Sequence, residues 1–123
     1  MYFESGEYEQ AGQQFKQAIV LQPNNSLAIG GQADVLARSD KHQQGEELYL
    51  AAIQAEPGYW RNYQRYGGFL FSNGRYFEAS LQYDKQTILQ PDSEEAFNNL
   101  GAAYYLNLEF DKATDGWRRA LAI

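Results

Sequence analysis

The stretch FNNLGAAYYLNLEFDKATDGWRRA, from Phe97 to Ala120, decides the fold. Its second half sets a large aromatic, Trp117, between two small residues, Ala113 and Ala120. At that spacing all three share one face of a helix, the alternation of wide and narrow that close-packed helices need. Stepping back by 34 residues finds the same chemistry again. Trp117 leads to Tyr83, Tyr49 and Phe15, and Ala113 leads to Ala79, Gly45 and Ala11. Ala120 leads to Gln86, Ala52 and Ala18, with Gln86 the misfit, while Phe110 leads to Tyr76, His42 and Tyr8. Pro23, Pro57 and Pro91, the whole complement of proline, keep the same beat. A fixed period of this length marks stacked supersecondary units, each burying its apolar face against the next.

The residues resemble the tetratricopeptide repeats, whose unit carries an aromatic, Leu, Gly and Tyr in its first helix, then Ala, an aromatic and Pro. The last copy matches with Phe97, Leu100, Gly101, Tyr104, Ala113, Trp117 and Ala120. The third has Tyr63, Tyr66, Gly67, Leu70, Ala79, Tyr83 and Pro91, with Gly74 in the connecting turn. The second is degenerate: Ile29, Gln32, Ala33 and Leu36 stand in its first half, and Tyr49, Ala52 and Pro57 keep its second. The first is partial and runs through Tyr2, Gly6, Tyr8, Ala11, Phe15, Ala18 and Pro23. The resemblance implies an all-α, right-handed superhelical solenoid of antiparallel helix pairs. Its repeats are expected at 1–25 (partial), 26–59, 60–93 and 94–123, in a single domain or a segment of a longer one.

Local signals predict helices over 8–21, 25–38, 42–55, 59–72, 76–89, 93–106 and 110–122. Asp92 with Glu95 reads as a cap for the sixth, and Arg118 and Arg119 complement the dipole at the end of the seventh. Gly6 and Gly74 are placed between paired helices and the prolines between hairpins. Gly30, Gly31, Gly67 and Gly68 are out of keeping, because a glycine inside a helix costs about 0.8–1 kcal/mol against alanine. Gly67 falls in the small-residue column; the other three are expected to open space on the opposite face, where a peptide backbone could approach.

Composition removes several functions. There is no cysteine, hence no disulfide, thiolate metal site or cysteine nucleophile. Ten basic residues against 16 acidic give a net charge of −6, the wrong sign for a nucleic-acid binder. No apolar run is long enough to span a bilayer, so a soluble protein is expected, with the cytoplasm favoured. His42 is the only histidine and shares a column with aromatics, which reads as packing at a helix start. Paired glutamates such as Glu46 and Glu47 point in different directions on a helix. No enzyme, metal or cofactor is expected.

The resemblance implies that the first helix of each hairpin lines a concave groove. That selects Leu27, Gly30, Gly31, Asp34, Ala37 and Arg38; Arg61, Gln64, Arg65, Gly68, Phe71 and Ser72; and Glu95, Asn98, Asn99, Ala102, Tyr105 and Leu106. The candidates for gripping a peptide are Arg38, Arg61, Gln64, Arg65, Phe71, Asn98, Asn99 and Tyr105. Arg61 and Arg65 repel each other mildly at i, i+4, so an acidic group between them would be stabilising. Guanidinium forks grip carboxylates, and asparagines can bond to an extended backbone. The bland alternative has Asp34 and Glu95 already neutralising these arginines. The family's carboxylate clamp for chaperone tails fits poorly, since Gly30, Asp34, Arg65, Glu95 and Asn99 occupy its positions.

The expected function is therefore a scaffold that holds a peptide segment of a partner in a groove. The alternative is an accessory segment of a larger multidomain protein, acting by intramolecular contacts or self-association. Trp117 and Leu121 near the end of the last helix are expected to lie uncovered, as in a piece excised from a longer array.

Overall fold

The computed structural model describes residues 5–21 and 25–123, and their side chains except those of 5–8 and 19–21. The readings of Tyr2, the Tyr8 side chain and Pro23 lie outside the described residues. Among these residues there are seven helices and no strand: α1 Ser5–Leu21, α2 Ser26–Arg38, α3 His42–Ala55, α4 Trp60–Ser72, α5 Tyr76–Leu89, α6 Glu94–Leu106 and α7 Phe110–Leu121. The fold is all-α, built of antiparallel helix pairs. From α2 to α7 every boundary falls within one residue of the sequence reading. At α1 the helix begins earlier, so Gly6 lies in its first turn rather than in a connection. The chain divides into two compact units, Met1–Gly58 with α1 to α3 and Tyr59–Ile123 with α4 to α7.

A single turn design joins the helices within each pair. Asp40, Gly74 and Leu108 stand 34 residues apart and all have left-handed backbones, with φ of 62°, 75° and 65°. The residue after each closes one helix and opens the next. Lys41, Arg75 and Glu109 donate their N–H to the carbonyls of Leu36, Leu70 and Tyr104 at 2.8–3.0 Å. Their own carbonyls accept from Gly45, Ala79 and Ala113, the column of small residues. This six-to-one bond is the Schellman closure, which requires the preceding residue to be left-handed. It explains why α3, α5 and α7 start without a side-chain cap.

Side-chain caps serve the first helices of two pairs instead. Asn25 accepts from Ala28 N–H at 3.3 Å to open α2, and Ser93 accepts from Ala96 N–H at 3.2 Å to open α6. The cap of α6 is thus Ser93 and not Asp92, because the helix begins one residue later than the acidic pattern suggested. Glu94 and Glu95 occupy its first turn, and Arg118 and Arg119 the last turn of α7.

Packing follows the columns. In the second unit a Cβ on Gly67 would sit 2.7 Å from the Tyr83 ring, and one on Gly101 would sit 2.6 Å from the Trp117 ring. Each large aromatic of a second helix therefore lies on a glycine of its partner, and Leu70, Ala79, Ala96, Ala103 and Ala113 are fully buried around them. Gln86, the misfit, is also fully buried; its amide reaches forward to donate to Gln90, at the C-cap of α5, at 3.1 Å, leaving its carbonyl oxygen without a partner. In the first unit Ser26 donates to Glu56 at 2.8 Å, tying the start of α2 to the end of α3. Among the described residues no helix is long and apolar enough to cross a membrane.

Candidate functional site

In the first unit, α2 gives less to a groove than its sequence suggested. Gly30 and Gly31 are both buried. A Cβ on Gly31 would run into the Phe15 ring of α1, so this glycine makes room for an aromatic instead of a ligand. Asp34 accepts a hydrogen bond from the Tyr49 hydroxyl of α3. Arg38, exposed in the last turn of α2, lines a hollow of about 590 Å³ together with Glu9, Lys16, Gln32 and Lys41. His42 does open α3, but it is half exposed with Nε2 3.8 Å from the Asp40 carboxylate.

The second unit brings most of the candidates together. Arg61, Gln64 and Arg65 are half-buried along one face of α4. Gln64 donates from Nε2 to Glu95 Oε1 at 2.9 Å, which joins α4 to the first turn of α6. The Arg61 guanidinium lies 5.0 Å from the centroid of the Trp60 ring. Stacking satisfies the face of a guanidinium but none of its N–H groups, and Arg61 Nε is buried without a hydrogen-bond partner. On α6, Asn98 is exposed and Asn99 half-buried.

The aromatic candidates form a separate group at the other end of these helices. Phe71 meets Tyr76 edge-on with centroids 5.2 Å apart, and one period later Tyr105 meets Phe110 in the same way at 5.3 Å. Tyr105 also lies 5.7 Å from Trp117 and remains half exposed. Sequence reasoning missed one member of the polar face, the Trp60 platform, and the pairing of two residues it did name, Gln64 with Glu95. The first was signalled by an aromatic directly before an arginine; the second had no sequence signal, since it joins residues 31 apart.

Among the described residues no cluster of His, Asp or Glu could bind a metal ion.

No family model matches the chain. It is 29% identical over 97 residues to the small glutamine-rich tetratricopeptide repeat-containing protein 2 of Mycosarcoma maydis, covering 79% of this chain and 28% of that protein. It is 30% identical over 102 residues to the type IV pilus assembly protein PilF of Pseudomonas aeruginosa, covering 81% of this chain and 40% of that one. The solved structure of that PilF superposes with a TM-score of 0.85 at 25% identity, over 95% of this chain and 54% of the other. A solved structure of MamA gives a TM-score of 0.83 at 23% identity, over 94% of this chain and 63% of the other, a likeness of fold. The chain thus spans less than half the length of the curated relatives it matches. None of these proteins is named for an enzymatic activity.

Proposed function

Because the chain carries tetratricopeptide repeats, and so is a scaffold for protein–protein contact, we propose that it holds an acidic peptide segment of a partner on the α4–α6 face. The observation that carries this reading is the Arg61 donor, buried without a partner beside a guanidinium already stacked on Trp60. Buried polar groups in native proteins are almost always hydrogen-bonded, and an orphan costs about 1–3 kcal/mol. A carboxylate laid against the Arg61 guanidinium, with Arg65 one turn further on, would add the charge-assisted hydrogen bonds that ring stacking leaves unmade. Asn98, exposed on α6, can bond to the backbone of an extended segment. Phe71 and Tyr105 offer apolar contact further along the same helices, and Asn99 is assigned a secondary part. No catalytic step is placed in the chain, and the identity of the partner is left to its chemistry.

A displayed library of random peptides tests the proposal. Selection on the parent chain should enrich sequences rich in Asp and Glu, and the variant Arg61→Glu, Arg65→Glu should lose them while keeping its far-ultraviolet dichroism. Enrichment without acidic residues, or equal binding by a folded variant, rejects this face as an acidic-peptide site.

A further inference from the structure

The basic residues of the first unit are few and gathered in one place. Lys16, Arg38 and Lys41 are its whole complement of lysine and arginine, and all three line the hollow of about 590 Å³ beside α1, α2 and the turn into α3. Acidic residues outnumber them in the unit, yet among the described residues only Glu9 and Asp40 line the same space. The Asp40 carboxylate also stands 3.8 Å from His42 Nε2, at the start of α3. The hollow is thus net positive within a net negative unit, a local field that favours an anion.

One polar side chain belongs to the wall of this hollow and not to its rim. Gln32 is only 4% exposed, in a column where the buried Tyr66 and Leu100 follow at intervals of 34. Its carbonyl oxygen is turned to α1, since a Cβ on Gly12 would lie 3.5 Å from Oε1 and 4.0 Å from Nε2, and it is buried without a partner. The amide nitrogen is the polar atom left to the hollow, so Gln32 offers N–H donors to the same space as the cations. Neither the charge nor the amide is a property of the repeat. Two periods on, Lys16, Gln32 and Leu36 become Asp84, Leu100 and Tyr104, around a hollow of about 370 Å³ that Asp111 and Asp115 also line. Val35 and Leu36 give the first hollow an apolar side, and its volume suits an organic molecule better than a bare ion. We propose that this hollow binds a small organic anion, its phosphate or carboxylate held by Lys16, Lys41 and the Gln32 amide, with Arg38 at the rim. The site lies wholly in the first unit and is independent of the peptide face on α4.

Titration of the whole 123-residue chain, followed by its amide NMR signals, tests the site. The probes are glycerol 3-phosphate and citrate, with glycerol as the neutral control and ionic strength held constant by sodium chloride. At least one of the anions should shift the signals of Gly12, Gln32 and Lys41 saturably, and the arm that does so separates phosphate from carboxylate recognition. Lys16→Gln with Lys41→Gln, both at exposed positions, should weaken that binding about tenfold or more while the rest of the spectrum is kept. Gln32→Leu, which copies Leu100 of the same column, should still fold and should weaken binding about threefold or more. Saturation by neither anion, equal shifts from glycerol, or undiminished affinity in the folded lysine variant overturns the proposal. So does a response confined to Arg61 and Arg65 on α4, which would leave the reading of that face standing.

Discussion

Gly67 and Gly68 are neighbours on α4 with opposite surroundings. A Cβ on Gly67 would press into the Tyr83 ring at 2.7 Å, whereas one on Gly68 would meet nothing nearer than the Tyr83 hydroxyl at 3.8 Å, an ordinary contact. Gly68→Ala should therefore stabilise the chain by up to about 1 kcal/mol through helix propensity. Gly67→Ala gains the same propensity but overpacks the core, and should lose roughly 1 kcal/mol or more on balance. Urea midpoints at unchanged m-value read both, and shifts in the same direction would show that the aromatic contact does not decide the sign. The sequence placed Gly67 correctly because its contact lies within one hairpin and repeats in the next, as Gly101 on Trp117. It misplaced Gly31, whose partner Phe15 belongs to the preceding helix α1. A column fixes which residues are equivalent, and contacts between successive pairs depend in addition on how a given ring is turned.

The helices themselves were legible almost to the residue, because prolines, periodic aromatics and small residues bracket each one. The turns within pairs were half legible. Gly74 announces a left-handed residue, Asp40 tolerates one, and Leu108 hides it, since leucine carries no preference for that conformation. Only the period exposes Leu108, which sits 34 residues after Gly74. Its side chain is 74% exposed, so its removal sacrifices little burial. Leu108→Gly should relieve backbone strain and stabilise the α6–α7 pair by about 0.5–1 kcal/mol, less than the full left-handed penalty because glycine also loosens the unfolded chain. Asp40→Gly should gain less, as aspartate bonds to its own backbone in such turns. Thermal midpoints of the two variants decide the matter; a larger gain at Asp40 would show that backbone strain at Leu108 is not the governing effect.

At the scale of the whole molecule, charge and packing meet at Tyr83. The arginine pair on α4 could be read from i, i+4 spacing, but no pattern revealed that Asp34 would turn to Tyr49, or Glu95 to Gln64. Such pairings join residues far apart in the chain and are fixed only when helices dock. Tyr83 shows the consequence for stability, for it touches α4 at Gly67 and feels Glu95 of α6. Burial first, and the Glu95 carboxylate second, raise its phenol from 10.0 to about 12. Between those values the unfolded chain has lost the proton and the folded chain keeps it. The stabilisation is thus whole below about pH 10, declines by roughly 1.4 kcal/mol per pH unit above it, and is lost as pH passes about 12. Tyr104, raised by burial and by Asp84, adds a decline of the same sign. Urea unfolding of the parent and of Tyr83→Phe from pH 9 to 12 isolates the Tyr83 share, because every other titration is common to both. The parent should lose stability more steeply than the phenylalanine variant over this interval, and parallel curves would show that Tyr83 ionises as readily in the folded chain as in the unfolded one.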